Sequence, residues 1–161
     1  MAGGKGKGGT GDPHIKVIAE NRKARAAYTV DEKVEAGLEL TGSEVKSLRA
    51  GTANLADAYA LPKGSELYLL NAHIGPYNPS SFFTHEPLRG RKLLLHREEI
   101  DRWAAKVRER GYSIIPLLLY FKNGRAKVEL GLCRGKTHED RRQDIKERET
   151  KREMDRAMRR R

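Results

Sequence analysis

Residues 28–40 read Tyr-Thr-Val-Asp-Glu-Lys-Val-Glu-Ala-Gly-Leu-Glu-Leu, and their parity decides the fold. Even positions hold Tyr28, Val30, Glu32, Val34, Ala36, Leu38 and Leu40; odd ones hold Thr29, Asp31, Lys33, Glu35, Gly37 and Glu39. A period of two belongs to a strand with one face in a core and the other in water. Gly37 marks the expected bend or bulge, because a glycine in a strand packs nothing. Further strands are expected at 56–61, 66–73, 91–95, 112–121 and 125–133, where β-branched and apolar residues run between turn signals. The last two are joined by Lys122-Asn123-Gly124-Arg125, in which Asn-Gly suits the two positive-φ positions of a type I′ turn. Beyond it Val128, Leu130 and Leu132 face the core, while Lys127 and Glu129 face out. Pro116 lacks a ladder donor and marks an edge or bulge.

Two helices interrupt the strands. Ile100, Trp103, Ala104 and Val107 stand at i, i+3, i+4 and i+7, with Glu98 and Glu99 at the positive end, Arg108 and Arg110 at the other, and Gly111 as the stop. A shorter helix spans 43–49, with Ser43 as its candidate N-cap and Gly51 after its end. Strands without a regular strand–helix alternation pair antiparallel, and closure into a barrel removes unpaired edges. The fold class expected is therefore mainly β: a small antiparallel β-barrel of the oligonucleotide-binding type, with helical insertions and a basic C-terminal tail.

Charge divides the chain into three parts. Residues 1–14 form a flexible Gly/Lys-rich arm, since six of the first eleven residues are glycine and offer no apolar area against the cost of ordering. Residues 15–133 make the folded domain. Residues 134–161 carry twelve basic and seven acidic side chains, giving +5 of the net charge of +11. Ile145, Met154, Ala157 and Met158 do not fall on one helical stripe, so this tail is expected to be disordered when free and helical on a partner. Its charge points to a polyanion, nucleic acid above a membrane surface, because no face of Trp, Phe and Leu is present for insertion. One cysteine, no long apolar run and no apolar N-terminal segment fit a cytoplasmic protein.

No catalytic, metal or cofactor site is expected. His73, His85 and His96 lack the short pair spacings of zinc sites, Cys133 has no partner cysteine, and the Gly/Lys arm lacks the flanking strand and helix of a phosphate-cradling loop. Basic stretches remain. Asn21-Arg22-Lys23-Ala24-Arg25 reads equally as a phosphate grip or as a solvated lead-in to the long strand. Arg89-Gly90-Arg91-Lys92 enters a strand, where a loop could touch an RNA backbone. Arg102, Lys106 and Arg110 form a row on the main helix that reads first as a solvated outer face, away from Trp103. Aromatic residues are few, which favours recognition of structured RNA over base-by-base stacking.

The run Gly42-Ser43-Glu44-Val45-Lys46-Ser47-Leu48-Arg49-Ala50-Gly51, followed by Asn54-Leu55-Ala56-Asp57-Ala58-Tyr59, resembles the SmpB family, partners of transfer-messenger RNA (tmRNA) in bacterial ribosome rescue. Asn21-Arg22-Lys23-Ala24-Arg25, Glu35-Ala36-Gly37, Asn71-Ala72-His73-Ile74, Arg91-Lys92-Leu93-Leu94-Leu95, Gly111-Tyr112, Leu119-Tyr120, Gly135-Lys136, Asp140-Arg141-Arg142 and Asp144-Ile145-Lys146 follow in family order. The resemblance implies that the barrel grips the tRNA-like domain of tmRNA through Asn21, Glu35, Leu94 and Lys127, beside the basic Arg22, Lys23, Arg91 and Lys92. Glu35 repels phosphate and suits a 2′-hydroxyl or base edge; Leu94 reads as RNA contact or as core. The resemblance further implies that the tail fills the empty mRNA channel of a stalled ribosome and reaches the small-subunit decoding centre with Gly135, Lys136, His138, Asp140, Arg141, Arg142, Ile145 and Lys146. Many members place an aromatic residue or His before the Asp of this segment. Here Glu139 stands there, so either His138 stacks through a shifted turn or that contact is absent.

A monomeric RNA-binding factor without catalysis, assisting alanyl charging of its RNA and its delivery with elongation factor Tu and GTP, is the function this resemblance implies. A structural ribosomal protein with basic arms is the second reading, and an RNA-modifying enzyme, lacking a convergent set of reactive groups, the third.

Overall fold

The computed structural model describes residues 14–76, 85–136 and 138–159; apart from His14, the expected N-terminal arm lies outside them. In chain order the elements are β1 (Ile15–Glu20), α1 (Arg22–Ala27), β2 (Tyr28–Leu38), α2 (Gly42–Arg49), β3 (Ala53–Asn54), β4 (Tyr59–Lys63) and β5 (Glu66–Leu70). They continue with β6 (His73–Ile74), β7 (Arg91–Leu94), α3 (Arg97–Arg110), β8 (Ser113–Lys122), β9 (Arg125–Gly135) and α4 (His138–Arg159). Strands β8, β4, β5, β7, β2 and β9 are bonded in that order and β9 pairs back to β8, so the antiparallel ring closes. β1 adds to β8, and β3 pairs with β6 as a separate two-stranded sheet. The mainly β barrel with helical insertions is thus the observed architecture.

Bulges divide the interior. At Pro116 the β8–β9 register slips, from Pro116↔Leu130 to Leu118↔Glu129. The slip exchanges the faces of β8: Ile114, Leu119 and Phe121 enter the main core, whereas Ile115 and Leu117 join Ala24 and Cys133 in a second cluster. The long strand does the same at Asp31, where the β2–β9 register slips between Val30 and Glu32. Tyr28 and Val30 consequently pack on the second cluster, and Val34, Ala36 and Leu38 on the first. The expected bulge at Gly37 is therefore corrected to Asp31. Gly37 is instead the residue at which β2 pairs with both β9, through Lys127, and β7, through Leu94.

The Asn123-Gly124 turn has φ of 51° and 78°, as type I′ requires. On α3, Ile100, Trp103 and Ala104 are buried, and Gly111 ends the helix in the left-handed region. Other boundaries differ from expectation. The N-cap of α2 is Thr41, whose N–H donates to the Glu44 carboxylate at 2.9 Å, and not Ser43. The strand expected from 56 begins at Tyr59, because Ala56 donates to the Asn54 side chain in a turn. Asn71, at φ 58°, breaks the strand expected over 66–73 into β5 and β6. β1 and α1 are elements that periodicity does not disclose, since each has only six residues. β9 keeps Arg134 and Gly135 in the barrel, opposite Thr29 and Tyr28, so the tail begins after them. The tail itself is α4, the helical form; apart from half-buried Asp144, its described side chains are exposed.

Candidate nucleic-acid interface

The register at Gly37 builds an open groove. A Cβ at Gly37 would lie 3.2 Å from the Leu94 Cβ, so glycine is what lets β7 approach β2 here. Lys127 then stands on one side of Gly37 and Leu94 on the other. The groove, of about 690 Å³, is lined by Glu35, Lys92, Leu94 and Lys127 together with Ser65 of the β4–β5 turn, Glu66 at the start of β5, and His96, Arg97 and Glu99 at the start of α3. Four residues that the sequence singles out are thereby brought together. Leu94 is 51 % exposed, which settles its alternatives in favour of a surface position.

Charge in the groove is mixed and largely fixed. The Tyr120 hydroxyl donates to Glu35, and Lys122 lies 3.5 Å away. That hydrogen bond, against a burial cost and with help from Lys122 and Lys127, holds the Glu35 carboxyl below the ordinary carboxylate range. Burial and the bond to Glu35 push the Tyr120 phenol up. Lys92 pairs with Glu66 at 2.9 Å, whereas Lys127 has no carboxylate within ion-pair distance among the described residues. A groove offering a fixed carboxylate acceptor, an apolar Leu94 and unpaired ammonium suits a polar ligand carrying both hydroxyl groups and phosphate.

Asn21 and Arg91 are placed otherwise. Asn21 is 2 % exposed and caps α1: its Oδ1 accepts from the Ala24 N–H at 3.0 Å, and its Nδ2 donates to the carbonyls of Leu55 at 3.0 Å and Pro116 at 2.9 Å. Both amide hydrogens are used, so Asn21 holds α1 on the barrel and offers RNA no donor. Arg91 is fully buried against Glu44 of α2, with further bonds to the Ala72 and Pro87 carbonyls. Arg89 also donates to Glu44, at 2.6 Å, so this basic stretch is mostly internal and only Lys92 reaches the groove. Arg22 is exposed on α1, away from the groove, as is Lys23, which pairs with Asp57 at 3.1 Å.

The row on α3 is solvated as expected at Arg102 and Arg110, which are exposed, but it is not turned away from Trp103. Arg102, at 2.9 Å, Lys106, at 2.8 Å, and the Trp103 indole N–H, at 3.1 Å, all converge on Glu32 of β2. The helix is tied to the barrel by these cations. In the tail, Lys136 pairs with Asp144, Arg142, Ile145 and Lys146 are exposed, and Gly135 ends β9. The side chains of His138, Asp140 and Arg141 lie outside the described part, although the helix backbone passes through them. Among the described residues no cluster of His, Cys, Asp and Glu could hold a metal, and no helix is long and apolar enough to cross a membrane.

The fold and groove define a closed antiparallel β-barrel protein with a mixed-charge groove and a highly charged helical extension. The family model described as SmpB protein matches residues 18–160, and the chain belongs to that family. An SsrA-binding protein of Myxococcus xanthus is 80 % identical over 160 residues, with 99 % of each chain covered. One of Anaeromyxobacter is 58 % identical over 159 residues, covering 99 % of this chain and 94 % of its own. Among solved structures, a chain described under "tmRNA-SmpB: a journey to the center of the bacterial ribosome" superposes with a TM-score of 0.64 at 44 % identity, covering 79 % of this chain and 93 % of that one.

Proposed function

We propose that the chain is an RNA-binding factor of trans-translation: it binds the tRNA-like domain of tmRNA and brings it to stalled ribosomes, where the nascent chain is tagged. The observation that carries this reading is the convergence of Glu35, Lys92, Leu94 and Lys127, from three strands, on one groove. Glu35 accepts from a ribose 2′-hydroxyl or a base edge, Leu94 packs on a base or sugar, and Lys92 and Lys127 meet phosphate. Arg22 and Lys23 add charge on a separate part of the surface. The tail is disordered in the free monomer and becomes a helix in the empty mRNA channel, where Arg141, Arg142, Ile145 and Lys146 run along rRNA near the decoding centre and His138 and Asp140 sit at the helix start. Delivery takes place in the cytoplasm with elongation factor Tu and GTP. The protein itself contributes binding and no catalysis.

Lys127→Ala is expected to weaken binding of the tRNA-like RNA and to reduce the salt slope of log K by about one, the share of a single phosphate contact. Affinity titrations at several salt concentrations measure both. An unchanged slope with unchanged affinity would remove Lys127 from the interface.

A further inference from the structure

The tail has no apolar stripe, but α4 has a charged one. Asp144, Glu147, Arg148 and Lys151 stand at i, i+3, i+4 and i+7, on one helix face, and together with Arg25 and Lys136 they line one cleft of about 320 Å³. One wall of the cleft is fixed. Gly135 closes the β2–β9 ladder opposite Tyr28, and the Lys136 N–H donates to the Ala27 carbonyl at 3.2 Å. A single residue, 137, then separates Lys136 from α4. The Lys136 ammonium crosses to the helix and pairs with the Asp144 carboxylate, their side chains being 10 % and 36 % exposed. Every other described side chain of α4 is exposed. Lys136 is the shielded member of the pair, so removing Asp144 leaves a mostly buried ammonium without this partner.

We propose that Lys136 and Asp144 form a joint that fixes the direction in which the helical tail leaves the barrel. Both are positioning residues, and the inference rests on the entry of the tail into the mRNA channel described above. The two lie eight residues apart and meet because the intervening turns are helical, so ordering the start of the tail and setting its direction are one event. From Asp144 to Arg159 the helix extends about 22 Å at 1.5 Å per residue, so a tilt of about 20° at the joint moves its end by about 8 Å. That displacement approaches the width of a helix and decides whether a straight rod enters a narrow channel. Lys136 is accordingly held by the protein and is not offered to rRNA.

The joint is tested in the full-length chain bound with tmRNA to stalled ribosomes, spin-labelled through Lys63→Cys at the end of β4 and Arg156→Cys on α4; the native Cys133 is buried and does not take the label. Wild-type pairing at 136 and 144 gives a narrow distance distribution. Asp144→Asn is expected to broaden it at least about twofold and to lower the tagging rate about tenfold, in keeping with the cost of small misplacements, while affinity for the tRNA-like RNA stays unchanged. Exchanging the charges, Lys136→Asp with Asp144→Lys, restores both the width and the rate. A wild-type width in Asp144→Asn, or no recovery in the exchanged pair, overturns the joint. Should Asp144→Asn lose RNA affinity through misfolding, Asp144→Glu must keep the narrow width, and a broad one overturns the joint as well. Failure of the parent chain to tag in the same assay would refute the functional reading instead.

Discussion

Arg91→Met is expected to lower the unfolding free energy by about 3–5 kcal/mol, the usual cost of stranding one member of a buried ion pair. Both Arg91 and Glu44 are fully buried, and the guanidinium also serves the Ala72 carbonyl at 2.8 Å and the Pro87 carbonyl at 3.2 Å. The substitution leaves two carbonyls short of a donor and Glu44 with Arg89 as its remaining cation. Its α2 then loses its tie to β7. Urea unfolding at neutral pH measures the loss; the double variant Arg91→Met, Glu44→Leu should regain part of it, because the buried carboxylate is gone and Arg89, the cation left without its partner, is 38 % exposed and can be solvated.

The same carboxyl sets an acid limit. Burial opposes the Glu44 charge, but hydrogen bonds from Arg89, the Thr41 N–H and Arg91 outweigh it and hold the pKa at about 2, against 4.5 ordinarily. The folded value lies below the unfolded one, so the unfolded chain takes up the proton first. The stabilisation from Glu44 is complete above about pH 4.5 and is lost as the pH falls toward 2. In the Arg91→Met background this acid-dependent decline should become shallower.

Placing Pro-Gly at Ile145 and Lys146 should abolish tagging while leaving RNA affinity nearly intact. Proline inside a helix costs about 3 kcal/mol through a lost N–H and a clash with the preceding turn, and the following glycine adds about 1 kcal/mol. Both residues are exposed on α4, so the barrel and its groove are untouched. The tail has little with which to offset this cost. Arg142 and Lys146 are exposed, and in the proposed binding mode rRNA phosphates already repay roughly 1–2 kcal/mol of ordering per residue. A reconstituted translation reaction on a truncated message reads the outcome, and normal tagging by the variant would remove the helical tail from the mechanism.

Parity and turn chemistry make the barrel legible in the sequence. Asn123-Gly124, Pro116 and the Ile100–Trp103–Ala104–Val107 stripe stand as expected, whereas the strand read over 28–40 ends at Leu38 and changes face at Asp31. Hidden features have identifiable reasons. Asn21 does have a local signal: an Asn before Arg22-Lys23-Ala24-Arg25-Ala26-Ala27, all good helix formers, is an N-cap pattern. The Glu44–Arg91 pair joins residues 47 apart, and no local pattern announces such a partner. Glu32 sits among the apolar even positions of β2, but only the packing of α3 shows Arg102, Trp103 and Lys106 waiting for it. The stripe of Asp144, Glu147, Arg148 and Lys151 on α4 has no apolar member, so apolar periodicity does not disclose it. For the groove, the motifs supplied Glu35, Leu94 and Lys127; the geometry added Glu66, Arg97 and Glu99 beside Lys92.

Sequencing the RNA that copurifies with the full-length chain from its own cells, after a high-salt wash of the ribosomes, tests the proposed role most directly. One small structured RNA with a tRNA-like end, recovered with protein released from the ribosomes, is the predicted result. A chain that stays on salt-washed ribosomes and brings down only rRNA would instead be a structural ribosomal protein, and would contradict the role proposed here.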